Sequence, residues 1–156
     1  NLITTALHTA RQGIAVLEQA QPLAQLVARL YVAQVFFASG LTKLRDWETT
    51  LALFADEYQV PLLSPNVAAL IGTAGELLLP VLLALGLAGR FAAAGLFVIN
   101  AVAVVSLADI PPAALQQHVF WGSLLIGLLL WGPGRWSLDR FVAPRLAPRA
   151  PYTRAA

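Results

Sequence analysis

Apolar positions recur along this chain with two rhythms, and each predicts a different kind of helix. Near the start, Ile3, Leu7, Ala10, Ile14 and Leu17 fall three or four residues apart. His8, Arg11, Gln12 and Glu18 lie elsewhere around the turn, so residues 1–22 are expected to form an amphipathic surface helix. Pro22 fits the first turn of a new helix, where its missing N–H costs nothing. Continuous apolar runs then predict four membrane spans, over residues 23–39, 67–87, 91–108 and 114–131. Gly40 either carries the first span on to Leu44 or bends it there.

Residues 46–65 differ in kind. Trp47, Leu51, Phe54 and Tyr58 repeat every three or four residues, with Asp46, Glu48, Asp56 and Glu57 between them. An interfacial helix between spans 1 and 2 is expected, and its rings Trp47, Phe54 and Tyr58 are candidates for docking a partner. Beyond Gly132-Pro133-Gly134 the sequence becomes basic and proline-bearing, with residues 142–156 expected to be disordered. The fold class is therefore all-α: a four-helix membrane domain over 23–141, preceded by an amphipathic segment.

Composition supports this division. Of 156 residues, 58% are hydrophobic and 12% charged, against about 25% charged in an average soluble domain. Five of the ten basic residues follow the last apolar run. Arg11, Arg90 and the tail arginines fall on one side, and Lys43 and Arg45 on the other, which predicts both termini in the cytoplasm. The acidic loop then faces outward. No basic platform interleaved with aromatics accompanies the tail, so a nucleic-acid partner is not expected. Residues 1–22 lack the basic start, apolar stretch and small-residue cleavage site of a secretory signal.

Chemistry is restricted by what is missing. With no Cys and no Met, the chain builds no disulfide, thiolate centre or redox dithiol, so no intrinsic cofactor is expected. His8 and His118 are predicted on opposite sides and cannot be paired haem ligands, and no metal site is expected. Glu76 stands out, because a carboxylate midway along a span costs at least ~2.5 kcal/mol at the bilayer centre unless paired or protonated. Arg29 and Lys43 are its candidate partners, with the longer Arg29 side chain favoured. Glu76 and His118 are the candidate proton-exchanging groups, and Arg29, Lys43 and Glu76 form the candidate pocket for a quinone headgroup. Asn100, mid-span, is expected to hydrogen-bond across helices. A weak internal repeat relates Arg29–Phe36 to Arg90–Phe97 and would make two parallel hairpins.

Several segments together resemble one family. Arg29 with Phe36-Phe37-Ala-Ser-Gly40-Leu-Thr-Lys43, then Gly75-Glu76-Leu-Leu-Leu-Pro80 through Gly86 to Arg90, then Gly132-Pro-Gly-Arg-Trp-Ser137-Leu-Asp139, are similar in kind and order to the DoxX family of small bacterial membrane proteins. Asp46-Trp47 and Glu57-Tyr58-Gln-Val-Pro61 resemble the branch encoded beside iron-dependent peptide-modifying enzymes. The resemblance implies a four-helix inner-membrane protein, and a family name taken from a thiosulfate:quinone oxidoreductase subunit. It also implies that Arg29, Gly40, Lys43, Glu76, Arg90, Ser137 and Asp139 are motif positions, with Gly40, Arg90, Ser137 and Asp139 in structural roles.

Three functions are compatible with these residues. One is an accessory subunit of a redox or metal-stress system that binds quinone or anchors a partner oxidoreductase. The others are an anchor or assembly factor without chemistry, and a small transporter, which would need to form a homo-oligomer. All three place the protein in a lipid bilayer.

Overall fold

The computed structural model describes residues 2–146, and among these it is helical with no strand. The elements are α1 (Leu2–Arg45), α2 (Trp47–Asp56), α3 (Pro65–Leu85), α4 (Gly89–Ser106), α5 (Pro112–Trp131) and α6 (Asp139–Leu146). Helices α3, α4 and α5 have 21, 18 and 20 residues. At about 1.5 Å per residue these match a hydrocarbon core of about 30 Å. With the second half of α1 they make four helices apolar and long enough to cross a bilayer, in a multi-pass membrane protein.

The spans close into a ring. Helix α1 packs on α3, α3 on α4, α4 on α5, and α5 returns to α1. The centre is filled by Val32 and Phe36 of α1, Leu83 of α3, Ala92, Ala93 and Leu96 of α4, and Leu125 and Leu128 of α5. Large side chains such as Leu70, Leu78, Phe91, Val98, Phe120 and Leu130 point outward, as expected where the solvent is lipid. Close helix approach depends on small residues facing the neighbour. A methyl at Gly40 would lie 3.0 Å from Leu77, and one at Gly95 would lie 2.7 Å from Leu79.

Two expectations are corrected. Pro22 does not begin a new helix, because α1 runs unbroken through it for 44 residues. A proline removes one backbone bond and bends a helix whose flanking turns stay formed; here Pro22 is buried beside the chain that returns after α5. Nor is the chain unfolded after Gly134: it folds back over the end of the bundle and continues into α6. The rest of the expected disordered tail, 147–156, lies outside the described residues.

Helix α2 lies against the first half of α3. Phe54 packs with Ala68 and Ala69, with Trp47, Leu51, Tyr58 and Val60 around them. The three rings expected to face a partner are thus turned inward: Phe54 is buried, and Tyr58 sits edge-on to it at 5.0 Å. Beyond α2, the Gln59 N–H bonds the carbonyl of Ser106, tying this loop to the end of α4.

Asp46 starts α2 as its N-cap, its carboxylate accepting the Thr49 N–H at 3.0 Å and the Thr49 hydroxyl at 2.7 Å. Those two bonds hold the carboxyl below its ordinary value. A lowered folded-state pKa gives stability that is present above the unfolded value and is lost as pH falls through the folded one. The first turn of α2 should therefore loosen on acidification below the usual carboxylate range. The Thr49 amide resonance of the micelle-bound protein is expected to follow that titration, and Asp46→Asn to abolish it.

Candidate functional site

Polar side chains inside the ring gather in three places. The first joins α1 and α3. Lys43 Nζ lies 2.6 Å from Glu76 Oε2 and also donates to Ser39 Oγ at 2.8 Å. Helix geometry explains the choice of partner. Side chains lean toward the N-terminus of their own helix. Lys43, near the C-terminal end of α1, leans into the membrane. Glu76, on the antiparallel α3, leans toward the α2 end, so the two converge. Gly40 permits this, since a methyl there would stand 3.1 Å from the Glu76 Cβ. Arg29 leans the same way as Lys43 but sits about 21 Å nearer the start of α1, so its lean carries it away from Glu76 and the expected Arg29–Glu76 pairing is not formed.

Beside this pair an apolar groove of about 450 Å³ opens between α1, α2 and α3, lined by Leu44, Trp47, Leu70, Thr73, Ala74 and Leu77. Thr73 is only 3% exposed, and its hydroxyl has no hydrogen-bond partner. A buried hydroxyl left unpaired costs about 1–3 kcal/mol. Burial, with the Glu57 and Glu76 charges added, raises the Tyr58 phenol above its ordinary value, so this ring stays neutral beside the pair.

The second place joins α4 and α5. The Asn100 amide donates to the carbonyl of His118 at 2.9 Å, and His118 Nδ1 lies 2.9 Å from Asn100 Oδ1. Since that oxygen only accepts, Nδ1 carries the proton. His118 also meets the ring of Trp121 edge-on at 5.1 Å. Asn100 therefore has the interhelical partner expected of it, although the sequence alone did not link it to His118. His118 forms no bond with the Lys43–Glu76 pair.

The third place closes the opposite end of the bundle, and three distant motifs meet there. Arg29 is 1% exposed. Its guanidinium donates to the carbonyls of Pro133, of Trp136 at 2.7 Å and of Ala84 at 3.4 Å. Asp139 accepts the N–H groups of Ala88 and Gly89 at 2.7 and 2.8 Å, capping α4 from 50 residues away. The N–H groups of Leu138 and Asp139 bond the carbonyls of Leu85 and Gly86. Ser137 donates to Gly134, and Arg90 donates to the Leu130 carbonyl at 3.2 Å. Gly86 is left-handed, and a methyl on it would lie 2.5 Å from Ser137 Cβ and 2.7 Å from Arg29 Nη1. Among the described residues no three His, Asp or Glu side chains form a metal-ligand set.

Residues 24–109 match the DoxX family model. The chain belongs to the DoxX family. The uncharacterized membrane protein Rv3486 of Mycobacterium tuberculosis is 31% identical to it, over 80% of this chain and 84% of that protein. No solved structure matches. In this DoxX protein the motif positions divide into two groups. Gly40, Lys43 and Glu76 meet between α1 and α3, whereas Arg29, Arg90, Ser137 and Asp139 meet at the other end. Arg29 thus leaves the pocket assigned to it from sequence and joins the closing turn.

This division is testable. Arg29→Ala leaves buried carbonyls unpaired and should cost about 2–5 kcal/mol of stability. Gly86→Ala should also destabilise, through its left-handed φ of 66° and its clash. Thermal unfolding in detergent, together with proteolysis between Gly132 and Asp139, is expected to show both losses. Stable, protease-resistant Arg29→Ala protein would refute the structural assignment.

Proposed function

We propose that this protein is an accessory membrane subunit of a redox or metal-stress system, taking a quinone headgroup in the groove beside Lys43 and Glu76. The observation that carries the reading is the unpartnered, buried Thr73 hydroxyl lining an apolar groove one turn from a membrane ion pair. A quinone needs this combination: apolar walls for its ring and tail, and a few polar groups for its oxygens. The residues present fit it. Thr73 and Lys43 would donate to the oxygens, and Glu76 would hold a proton for exchange.

When bound, a quinone supplies the redox capacity the chain lacks, accepting two electrons and two protons to become a quinol. The electrons come from a partner oxidoreductase. What this chain contributes is position and charge. Lys43 holds the Glu76 carboxyl in place, and Ser39 fixes the ammonium. The inward packing of Trp47, Phe54 and Tyr58 leaves the polar face of α2, with Glu48, Asp56 and Glu57, as the surface offered to a partner on the outer side. His118 belongs to the α4–α5 contact and is given no proton-transfer role. The apolar core of Val32, Phe36, Leu83 and Leu96 separates the two ends of the ring, which argues against a transport path through one copy.

Quinone extracted from purified protein in nanodiscs is expected near one per chain. Glu76→Gln should lose it. Thr73→Val should retain several-fold less while unfolding at the same or a higher temperature, because an unpaired buried hydroxyl is removed. Quinone that merely tracks bulk lipid in all three proteins would overturn the reading.

A further inference from the structure

The turn that closes the bundle also builds a second pocket, of about 740 Å³, between the middle of α1 from Glu18 to Gln25, the first turn of α4 and the chain after α5. Arg90, Arg135 and Arg140 line it. Two carboxylates share its wall, Glu18 and Asp139. Asp139 is committed, with each oxygen taken by an N–H at the start of α4. Arg135 and Arg140 make no hydrogen bond or ion pair with the described residues, and Arg90 has a single bond, to the Leu130 carbonyl. Three guanidiniums thus face one space with most of their donors unbonded among the described residues.

The position of the pocket matters as much as its charge. It sits at the end of α5, where Trp131 is 68% exposed, and Trp136, also exposed, follows in the chain after it. Exposed tryptophans at the end of a span sit at the headgroup level of a bilayer. Guanidiniums at that depth meet phosphates rather than bulk water, and their planar fork suits a phosphate's paired oxygens. We propose that this pocket binds the phosphate of an anionic lipid headgroup, with Arg135 and Arg140 as the principal donors and Arg90 as the third. The assignment is independent of the quinone reading, because it uses neither the groove near α2 nor the Lys43–Glu76 pair. It implies that the turn carrying Ser137 and Asp139 is clamped from both sides, by Arg29 within and by lipid without.

The test uses the full chain in a neutral detergent, titrated with short-chain phosphatidylglycerol, with phosphatidylcholine of equal chain length, and with inorganic phosphate. Wild type should bind phosphatidylglycerol, and the double variant Arg135→Gln/Arg140→Gln should bind it about tenfold or more weakly, since each basic group at a membrane surface contributes several-fold. Because neither side chain bonds within the described structure, the variant should unfold at the wild-type temperature. Arg11→Gln, outside the pocket, should bind as wild type does. Equal affinity for the two lipids, or an unchanged double variant, would overturn the proposal. Inorganic phosphate binding as tightly as phosphatidylglycerol would overturn the lipid assignment in favour of a soluble phosphate.

Discussion

Everything at one end of this bundle depends on a buried guanidinium. Arg29 is enclosed among apolar helices, where an ionised group without partners is prohibitively costly. The chain meets that cost with main-chain oxygens rather than a carboxylate. Ala84 contributes from the last turn of α3, where carbonyls have no helical partner, and Pro133 and Trp136 contribute from the turn after α5. One side chain thereby satisfies loose backbone groups from two segments 50 residues apart and ties both to α1. Helix orientation at that end follows from this tie. Asp139 can reach the start of α4 only because the same turn has been brought back across the bundle.

The bilayer imposes the same rule elsewhere with different means. Lys43 and Glu76 neutralise each other between α1 and α3, and Asn100 and His118 satisfy each other between α4 and α5. Each pair joins neighbours in the ring, so polar groups specify which helices touch, while the central Leu, Val and Phe side chains only require that some helices do. Two buried polar atoms depart from the rule, the Nε of Arg29 and the hydroxyl of Thr73. The Thr73 hydroxyl is buried and unpaired beside an apolar groove, at a cost in stability.

The two ends of the ring are consequently unlike. Near α2 the polar atoms are few, partly reachable and set against an apolar groove. At the other end they are many and, apart from the arginines, spent on one another. A family motif spread over more than 100 residues therefore does two jobs. Gly40, Lys43 and Glu76 join α1 to α3, and Arg29, Gly86, Ser137 and Asp139 lock the closing turn.

The helices themselves were legible in the linear pattern, because a span needs only a sufficient apolar length and an interfacial helix only its period, and neither depends on what lies opposite. The lone carboxylate of Glu76 and the mid-span amide of Asn100 were visible for the same reason: a polar group in lipid must have a partner wherever it is. Which partner could not be read. The choice of Lys43 over Arg29 turns on the direction in which side chains lean from antiparallel helices, and the Asn100–His118 pair on the rotation of α4 against α5. Composition likewise misjudged the segment after Gly134, since a proline-bearing, basic stretch resembles solvated chain until Arg29 and Gly86 supply the groups that order it. Length and polarity are local properties and belong to the sequence. Pairing depends on helix direction and facing, and only the folded bundle decides those.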